Sequence, residues 1–344
     1  MTSRRDESRR DGSADTAGDR PLVSAVIPSR GRPRLLIRAV ASVAAQSYPN
    51  VEAVVVLDGC DAPEELASAW TRSGRLEVIR LPGPVGGSEA RNVGIRAASG
   101  AWIALLDDDD AWEPDKLAVQ MGVLAESGAA WPVASSQVTA RTALGDYVWP
   151  RTSPTRPTNV PEFMFCHRAS PFAGDRTLQT STLVAPRELL LKVPFRADLP
   201  RHQDWDWLIR ASALPGFALE FVERPLSVWS FEDRAGASVS SARGWEDSLR
   251  WFESVKAQLP PCAVRGYLVW HLARAMAKRR SFRNLQHYAS QLARNGVWPA
   301  PREALYLAGV WLLSEAQRRR LRRWAYRRGE RRKAGLPEGE TERA

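Results

Sequence analysis

Four consecutive carboxylates, Asp107 to Asp110, close the apolar run Trp102–Leu106 and lead into Ala-Trp-Glu-Pro-Asp-Lys-Leu117. The run is short, continuous and bounded, which predicts a buried strand. Pro114 then opens a helix, because its missing N–H and fixed φ suit a first helical turn. Adjacent like charges at the end of a buried strand are costly unless something cationic neutralises them. A hard divalent ion with oxygen ligands does so, and such ions are commonly shared with phosphates. The plainer alternative is a solvated acidic turn that caps the next helix. Position separates the two, because open α/β sheets bind ligands at the carboxyl ends of their strands.

The upstream sequence supplies the rest of such a sheet. Leu22–Ile27 reads as a strand broken by Pro28-Ser-Arg-Gly-Arg-Pro33, and a helix is expected over 35–45 with Leu36, Ala39, Val40 and Val43 on one face. Val51–Leu57 is a strand ending in Asp58-Gly-Cys-Asp61. Pro63 starts a helix, Leu76–Leu81 forms a third strand, and the segment from Gly86 opens a helix that leads to the acidic strand. Alternating strands and helices imply right-handed crossovers and a Rossmann-like, mainly parallel sheet covered on both faces. The strand ends then gather Pro28 to Arg30, Asp58 and Asp107 to Asp110 at one rim, the expected nucleotide site.

These segments together carry a resemblance. Val-Ser-Ala-Val-Ile-Pro-Ser-Arg30, Ala45 to Glu52, Val-Leu-Asp-Gly-Cys-Asp61, Gly86 to Ile95 and Leu-Leu-Asp-Asp-Asp-Asp-Ala-Trp-Glu-Pro-Asp-Lys-Leu117 resemble, in order, family 2 glycosyltransferases of the GT-A fold. Gln179 to Val184 and Gln203 to Arg210 resemble the acceptor-side segments of that family, so the match runs from about Leu22 to Ser240. The resemblance implies an inverting transfer of a sugar from a nucleoside diphosphate, usually UDP, to an acceptor hydroxyl. It implies that Asp58 meets the nucleotide base and Arg91 lies near base and phosphates. Asp107 and Asp109 would form the D-x-D pair, with Asp109 the direct metal ligand and Asp108 facing the ribose. Asp204 would be the general base. Helix-cap or surface roles are the plain alternatives for Asp58, Arg91 and Asp204, and Asp206 competes with Asp204. The chain departs from the family at Arg30, where an aromatic is common, at Leu57, where an acid usually precedes Asp58, and at Gln203, where Glu is common.

The chemistry explains these residue types. Cleavage at the anomeric carbon puts negative charge on the leaving diphosphate, which Mn2+ or Mg2+ in an all-oxygen site offsets. Inversion needs a base on the opposite face to take the acceptor proton, and a helix N-terminus favours the ionised form of an acid such as Asp204. Other chemistries lack their signatures. Cys60, Cys166 and Cys262 are widely spaced without a zinc pattern and suggest a reduced compartment more than a disulfide scaffold. No paired spacing links His167, His202, His271 and His287, and neither a Gly-x-Ser-x-Gly elbow nor a P-loop is present. A sugar-phosphate nucleotidyltransferase would need a glycine-rich phosphate loop after the first strand, where only Ser-Arg-Gly-Arg-Pro stands.

Residues 1–20 lack an apolar segment and are expected to be disordered rather than a signal peptide. The GT-A domain is expected over 21–240, a basic α-helical extension over 241–330 and a disordered tail over 331–344. Prolines between Val148 and Pro171 suggest either an ordered loop over the acceptor cleft or a plain linker. From Cys262 onward the chain carries nineteen Lys/Arg against six Asp/Glu, so its basicity resides in this extension. The segment Gln317–Gly329 interleaves arginines with Leu321, Trp324 and Ala325, a pattern suited to an anionic membrane surface. Nothing aromatic and basic on a sheet supports nucleic-acid binding or a scaffold role. No apolar run reaches the roughly 20 residues that span a bilayer, so a cytosolic enzyme, or one attached peripherally to the inner membrane face, is expected.

Overall fold

A computed structural model describes residues 20–142, 145–155, 157–166, 176–230, 244–314, 316–318 and 320. The expected disordered ends and most of the basic helix proposed for 317–329 therefore lie outside the described residues. Four parallel strands come first: β1 (Val23–Ser29), β2 (Val51–Leu57), β3 (Leu76–Arg80) and β4 (Trp102–Leu105). Between them run α1 (Pro33–Ala44), the single short turn α2 (Leu66–Ala69) in place of the helix expected from Pro63, and α3 (Gly87–Ala97). The chain continues through β5 (Asp110–Trp112), α4 (Lys116–Ala125), β6 (Trp131–Thr142), β7 (Gly145–Trp149) and α5 (Val160–Phe165). It ends the sheet with β8 (Val184–Pro186), α6 (Arg187–Lys192), α7 (Gln203–Ser212) and β9 (Phe217–Ser230).

The strands form one sheet in the order β3-β2-β1-β4-β8-β6-β9-β5, with β7 beside β6. The first half is parallel as expected, whereas the second half is mixed: β8 runs antiparallel to β4 and β6, β6 parallel to β9, and β5 antiparallel to β9. The parallel strands alternate their side chains between two cores. Ala25, Ile27, Val55 and Leu57 meet α1 and α4 residues such as Leu36, Val40, Leu117 and Leu124 on one face. Val26, Val54 and Val56 join the core on the opposite face, which also takes in Ile95 of α3 and Trp207 of α7. Covered faces on both sides are why β1, β2 and β4 read as mainly apolar runs.

The extension comprises α8 (Trp245–Val255), α9 (Pro261–Gly266), a π-helical stretch Tyr267–Leu272, α10 (Ala273–Met276), α11 (Phe282–Arg294) and α12 (Pro301–Leu312). Trp251, Phe252, Tyr267 and Met276 belong to the same buried cluster as Val26 and Trp207. The segment expected to cover the acceptor cleft or act as a linker holds α5, which packs on α9. It also lines a cavity of about 540 Å³ together with Arg265, Trp270 and Glu303. Among the described residues no helix is long and apolar enough to cross a membrane.

One expectation is overturned here. Cys166, just after α5, and Cys262 in α9 form a disulfide with Cα atoms 5.2 Å apart across 96 residues. The two cysteines meet because α5 docks on α9, a tertiary contact that sequence spacing does not encode; Cys60 is the free one. The same contact is tight enough to exclude a side chain, since a Cβ on Gly266 would lie 1.7 Å from the Phe165 carbonyl oxygen. Gly266→Ala should therefore destabilise the protein by about 2 kcal/mol, within the range for overpacking. Urea unfolding monitored by tryptophan fluorescence checks this, and an unchanged midpoint would contradict the packing.

Candidate active site

The acidic segment splits its four side chains between two directions. Asp108 turns back beneath β1, where Ser29 Oγ donates to it at 2.6 Å and Arg32 contacts it through Nη2 and, at 3.3 Å, Nε. Burial pushes the Asp108 carboxyl up to about 6, an effect partly countered by Arg32 and Ser29. Asp107, Asp109 and Asp110 point together instead, each offering a carboxylate oxygen within 4.8 Å of the others. The resemblance pairs Asp107 with Asp109, and these do converge, but Asp110 completes the group. It lies at the start of β5, held by Gln179 Nε2 and by Ser181 Oγ at 2.7 Å. Ser181 Oγ also accepts the Asp107 N–H at 3.0 Å.

Three arginines, two belonging to α1 and one to α3, hold this group. Arg32, at the N-cap of α1, reaches Asp109 Oδ2 with Nη1 at 2.7 Å. Arg38 Nη2 bonds the Asp109 carbonyl at 2.7 Å. Arg91, buried in α3, pairs with Asp107 through Nη2 and donates from Nη1 to Gln203 Oε1 at 2.6 Å, with its guanidinium 5.8 Å from the Phe195 ring centre. Three carboxylates with oriented partners make an all-oxygen donor set of the kind Mg2+ or Mn2+ takes, so the residues fit such an ion.

The remaining residues of the rim have distinct surroundings. Pro28 lies buried in β1 opposite Val56, and Arg30 is exposed, so Arg32 rather than Arg30 is the arginine of this loop that meets the acids. Asp58 is buried, and its oxygens accept the Val85 N–H at 2.6 Å and the Gly86 N–H at 3.1 Å. It thereby ties the end of β2 to the loop that opens α3. The two loops pass so closely that a Cβ on Gly59, itself at φ +69°, would sit 2.8 Å from Pro84 N. Between the β1 and β2 ends lies a cleft of about 350 Å³ lined by Ser29, Arg32, Leu36, Cys60, Asp61 and Pro63.

Asp204 occupies the first turn of α7. Its Oδ1 accepts the Trp205 N–H at 2.9 Å and its Oδ2 faces Thr180 Oγ1 at 3.4 Å. Burial raises its pKa, with Asp107 adding to the rise and the Trp205 N–H and Arg91 opposing it. Asp206, its rival by sequence, is fully buried away from this rim: Arg210 Nε lies 2.7 Å from its Oδ2, and Arg196 Nη1 and Trp251 Nε1 approach its Oδ1. The turn into α7 is made by His202 at φ 58° and ψ 29°, the left-handed region that side chains other than glycine rarely adopt. Its ring stacks on Trp205 with centres 4.6 Å apart and bonds Ser248 of α8 at 3.0 Å through Nε2. Burial, with Arg201 nearby, holds it down to about 3 and hence neutral.

Comparison with known proteins bears on the family. Residues 24–168 match the model for glycosyl transferase family 2. The chain carries a family 2 glycosyltransferase domain. AmsB, an amylovoran biosynthesis glycosyltransferase of Erwinia amylovora, is 29% identical over 261 residues, which cover 72% of this chain and 82% of AmsB. The succinoglycan biosynthesis protein ExoO of Rhizobium meliloti is 41% identical over 99 residues, a match spanning 28% of each protein. Among solved structures, residues 1–349 of S. aureus TarS in complex with UDP-GlcNAc superpose with a TM-score of 0.60 at 16% identity, covering 92% of this chain and 93% of that one. The mannosyltransferase PcManGT from Pyrobaculum calidifontis, in complex with GDP-Man and Mn2+, gives 0.52 at 19% identity over 90% and 86%. At these identities the structural likeness is one of fold, and it is the GT-A fold.

Sequence reasoning missed Arg32 and Arg38; it put Asp110 at the rim with the other acids but outside the D-x-D pair, and it read Gln179 to Val184 as an acceptor-side segment rather than as support for Asp110. It also missed Lys116, whose amine is fully buried 4.2 Å from the Trp112 ring centre and driven well below its ordinary pKa by that burial. The arginines carry no signal beyond their loop and helix positions. Asp206 lends itself to a direct check. Removing one partner of a buried ionic network strands the others, although Arg196 and Arg210 keep some contact with water. Asp206→Asn should cost about 2 kcal/mol in urea unfolding while UDP binding to the folded protein, measured by calorimetry, stays within twofold.

Proposed function

We propose that the protein is an inverting glycosyltransferase moving a sugar from UDP to an acceptor hydroxyl in the synthesis of a cell-envelope polysaccharide or other glycoconjugate. The observation that carries this reading is the convergence of Asp107, Asp109 and Asp110 at one rim, joined to the first turn of α7 by Arg91. The names of AmsB and ExoO support polysaccharide assembly, and TarS bound to UDP-GlcNAc supports a UDP-sugar donor. PcManGT bound to GDP-Man and Mn2+ supports the metal, with Mn2+ or Mg2+ equally suited to the oxygens here.

In this reading the uracil enters the cleft beside Asp58, Cys60 and Asp61, and any bond from Asp58 uses lone pairs left beside its two backbone contacts. Asp107, Asp109 and Asp110 would hold the divalent ion, which when bound supplies Lewis-acid stabilisation to the departing diphosphate. Arg91 and Arg32 hold positive charge beside the phosphate path, while Asp108 and Ser29 fix the loop that faces the ribose. Asp204 takes the proton of the acceptor hydroxyl as that oxygen attacks the anomeric carbon from the face opposite the leaving group. Its raised pKa makes it a stronger base than an ordinary aspartate, and the α7 N-terminus keeps the ionised form accessible. The acceptor is a lipid-linked or polymeric saccharide, and the enzyme works peripherally at the membrane face that holds the nucleotide-sugar pool.

A panel of UDP-, GDP- and dTDP-sugars with Mn2+, read by nucleotide release, tests the donor; release of pyrophosphate instead would indicate nucleotidyl transfer. Asp109→Ala should remain folded yet lose most metal-assisted UDP affinity. Calorimetry showing the variant binding UDP with Mn2+ as tightly as the parent would refute the assignment.

Asp204→Asn should bind UDP normally and release it from UDP-sugars on the order of 10²- to 10⁴-fold more slowly. Because burial raises the folded pKa, the parent's rate should fall on acidification at a higher pH than an ordinary aspartate would give, and the variant should lack that limb. Near-normal turnover by Asp204→Asn would place the base elsewhere.

A further inference from the structure

We propose that the outward face of α12, together with Phe282 at the start of α11, docks the protein onto an anionic lipid surface. A surface helix ordinarily turns polar residues to water. On α12 the inward side is apolar, with Leu307 and Val310 buried and Tyr306 and Trp311 packed against the core. The outward side is apolar too: Pro301, Leu305, Ala308 and Leu312 recur four, three and four residues apart along one stripe, and all four are exposed. Leu305 is 76% exposed and Leu312 77%, while Trp298, just before the helix, is 77% exposed. The helix's two charged residues, Arg302 and Glu303, sit in its first turn, and Glu303 is committed to Arg265. A helix that is apolar all round has a second burial partner, and a contiguous exposed apolar stripe marks where that partner lies.

The surrounding charge selects the partner. From Tyr267 to Arg302 the chain carries seven Lys/Arg and no Asp/Glu. Arg280 bonds the carbonyls of Leu312 and Leu313, which sets the exposed basic turn Lys278–Arg283 at the end of the stripe. Phe282, 74% exposed, rises from the middle of that turn. Bulky apolar anchors rimmed by cations are what a helix lying in a headgroup layer presents, and each Lys or Arg near an anionic surface adds to the attraction. A second copy docked by the same face across a two-fold axis would set this cationic rim against itself. Twelve residues give a helix about 18 Å long, suited to lying in the interface and too short to span it. This docking does not depend on the proposed chemistry, because binding is measured without turnover.

The test is co-sedimentation of the full chain with vesicles of phosphatidylcholine, with and without about 30% phosphatidylglycerol, at low and high salt. The parent should pellet with the anionic vesicles and be released by salt. The double variant Leu305→Glu, Leu312→Glu should partition at least about tenfold less, and Arg279→Glu with Arg283→Glu should lose the anionic preference. Circular dichroism and nucleotide release from the hydrolysed donor should be unchanged in both, which separates failed docking from failed folding or chemistry. Equal sedimentation of parent and Leu305→Glu, Leu312→Glu, or no binding by the parent, would overturn the proposal. So would a parent dimer in analytical ultracentrifugation that the same double variant dissolves, since the occupant would then be a second copy.

Discussion

Everything at the rim follows from confining four carboxylates to the end of one buried strand. At an effective dielectric of about 20, two unit charges about 4 Å apart repel by roughly 4 kcal/mol, so the segment is untenable without compensation. The fold divides the load. Asp108 is drawn against Ser29 and Arg32 and has its pKa raised, while the other three converge on one another, Asp107 partly exposed and Asp109 and Asp110 buried, with Arg32 and Arg91 on their flanks. Both arginines come from helices that follow parallel strands, so the parallel half of the sheet is what delivers them. The three convergent carboxylates form an all-oxygen group for which a divalent ion carrying a diphosphate is a fitting occupant.

The parallel half of the sheet was legible because β1, β2 and β4 are buried on both faces and therefore read as mainly apolar runs. The mixed half was not: β6 contains Ser135, Ser136 and Gln137, and β9 contains Glu220, Glu223 and Arg224, polar residues that blur the strand pattern. At the site, the acids announced themselves by adjacency, whereas the arginine that meets them had to be chosen between Arg30 and Arg32 in a loop where both are plausible. The choice depends on how tightly Pro33 starts α1, which places Arg32 at the N-cap and leaves Arg30 facing solvent. The Cys166–Cys262 pairing was invisible for a related reason, since it follows from α5 docking on α9 across 96 residues.

The helical extension is continuous with the catalytic core. Trp251 of α8 meets His202 with ring centres 4.8 Å apart and donates to Asp206, so one side chain of the extension touches residues on either side of Asp204. His202 holds a left-handed backbone, a conformation that costs about 1 kcal/mol or more for a residue with a Cβ and persists only where the surroundings over-determine it. Its stack on Trp205 and its bond to Ser248 are those surroundings. The start of α7, and with it the direction of Asp204, thus depends on packing contributed from beyond the family-matched segment.

Gln203 shows how one departure from the family pattern shifts the charge of the site. Its amide oxygen accepts from Arg91 at 2.6 Å as a carboxylate oxygen would, while its Nε2 donates to the Leu199 carbonyl at 2.8 Å, a bond a carboxylate cannot make. A glutamate there would add an anion next to Asp204 and push that acid's pKa further up, as Asp107 already does from across the rim. It would also neutralise Arg91 a second time, beyond Asp107. With glutamine, Arg91 keeps more of its positive charge for an incoming diphosphate, and Asp204 stays a carboxylate to lower pH. Glutamine therefore keeps the bond accepted from Arg91, adds one to the Leu199 carbonyl and makes the rim one unit less negative than glutamate would, at the point where donor phosphate and acceptor proton must be handled together.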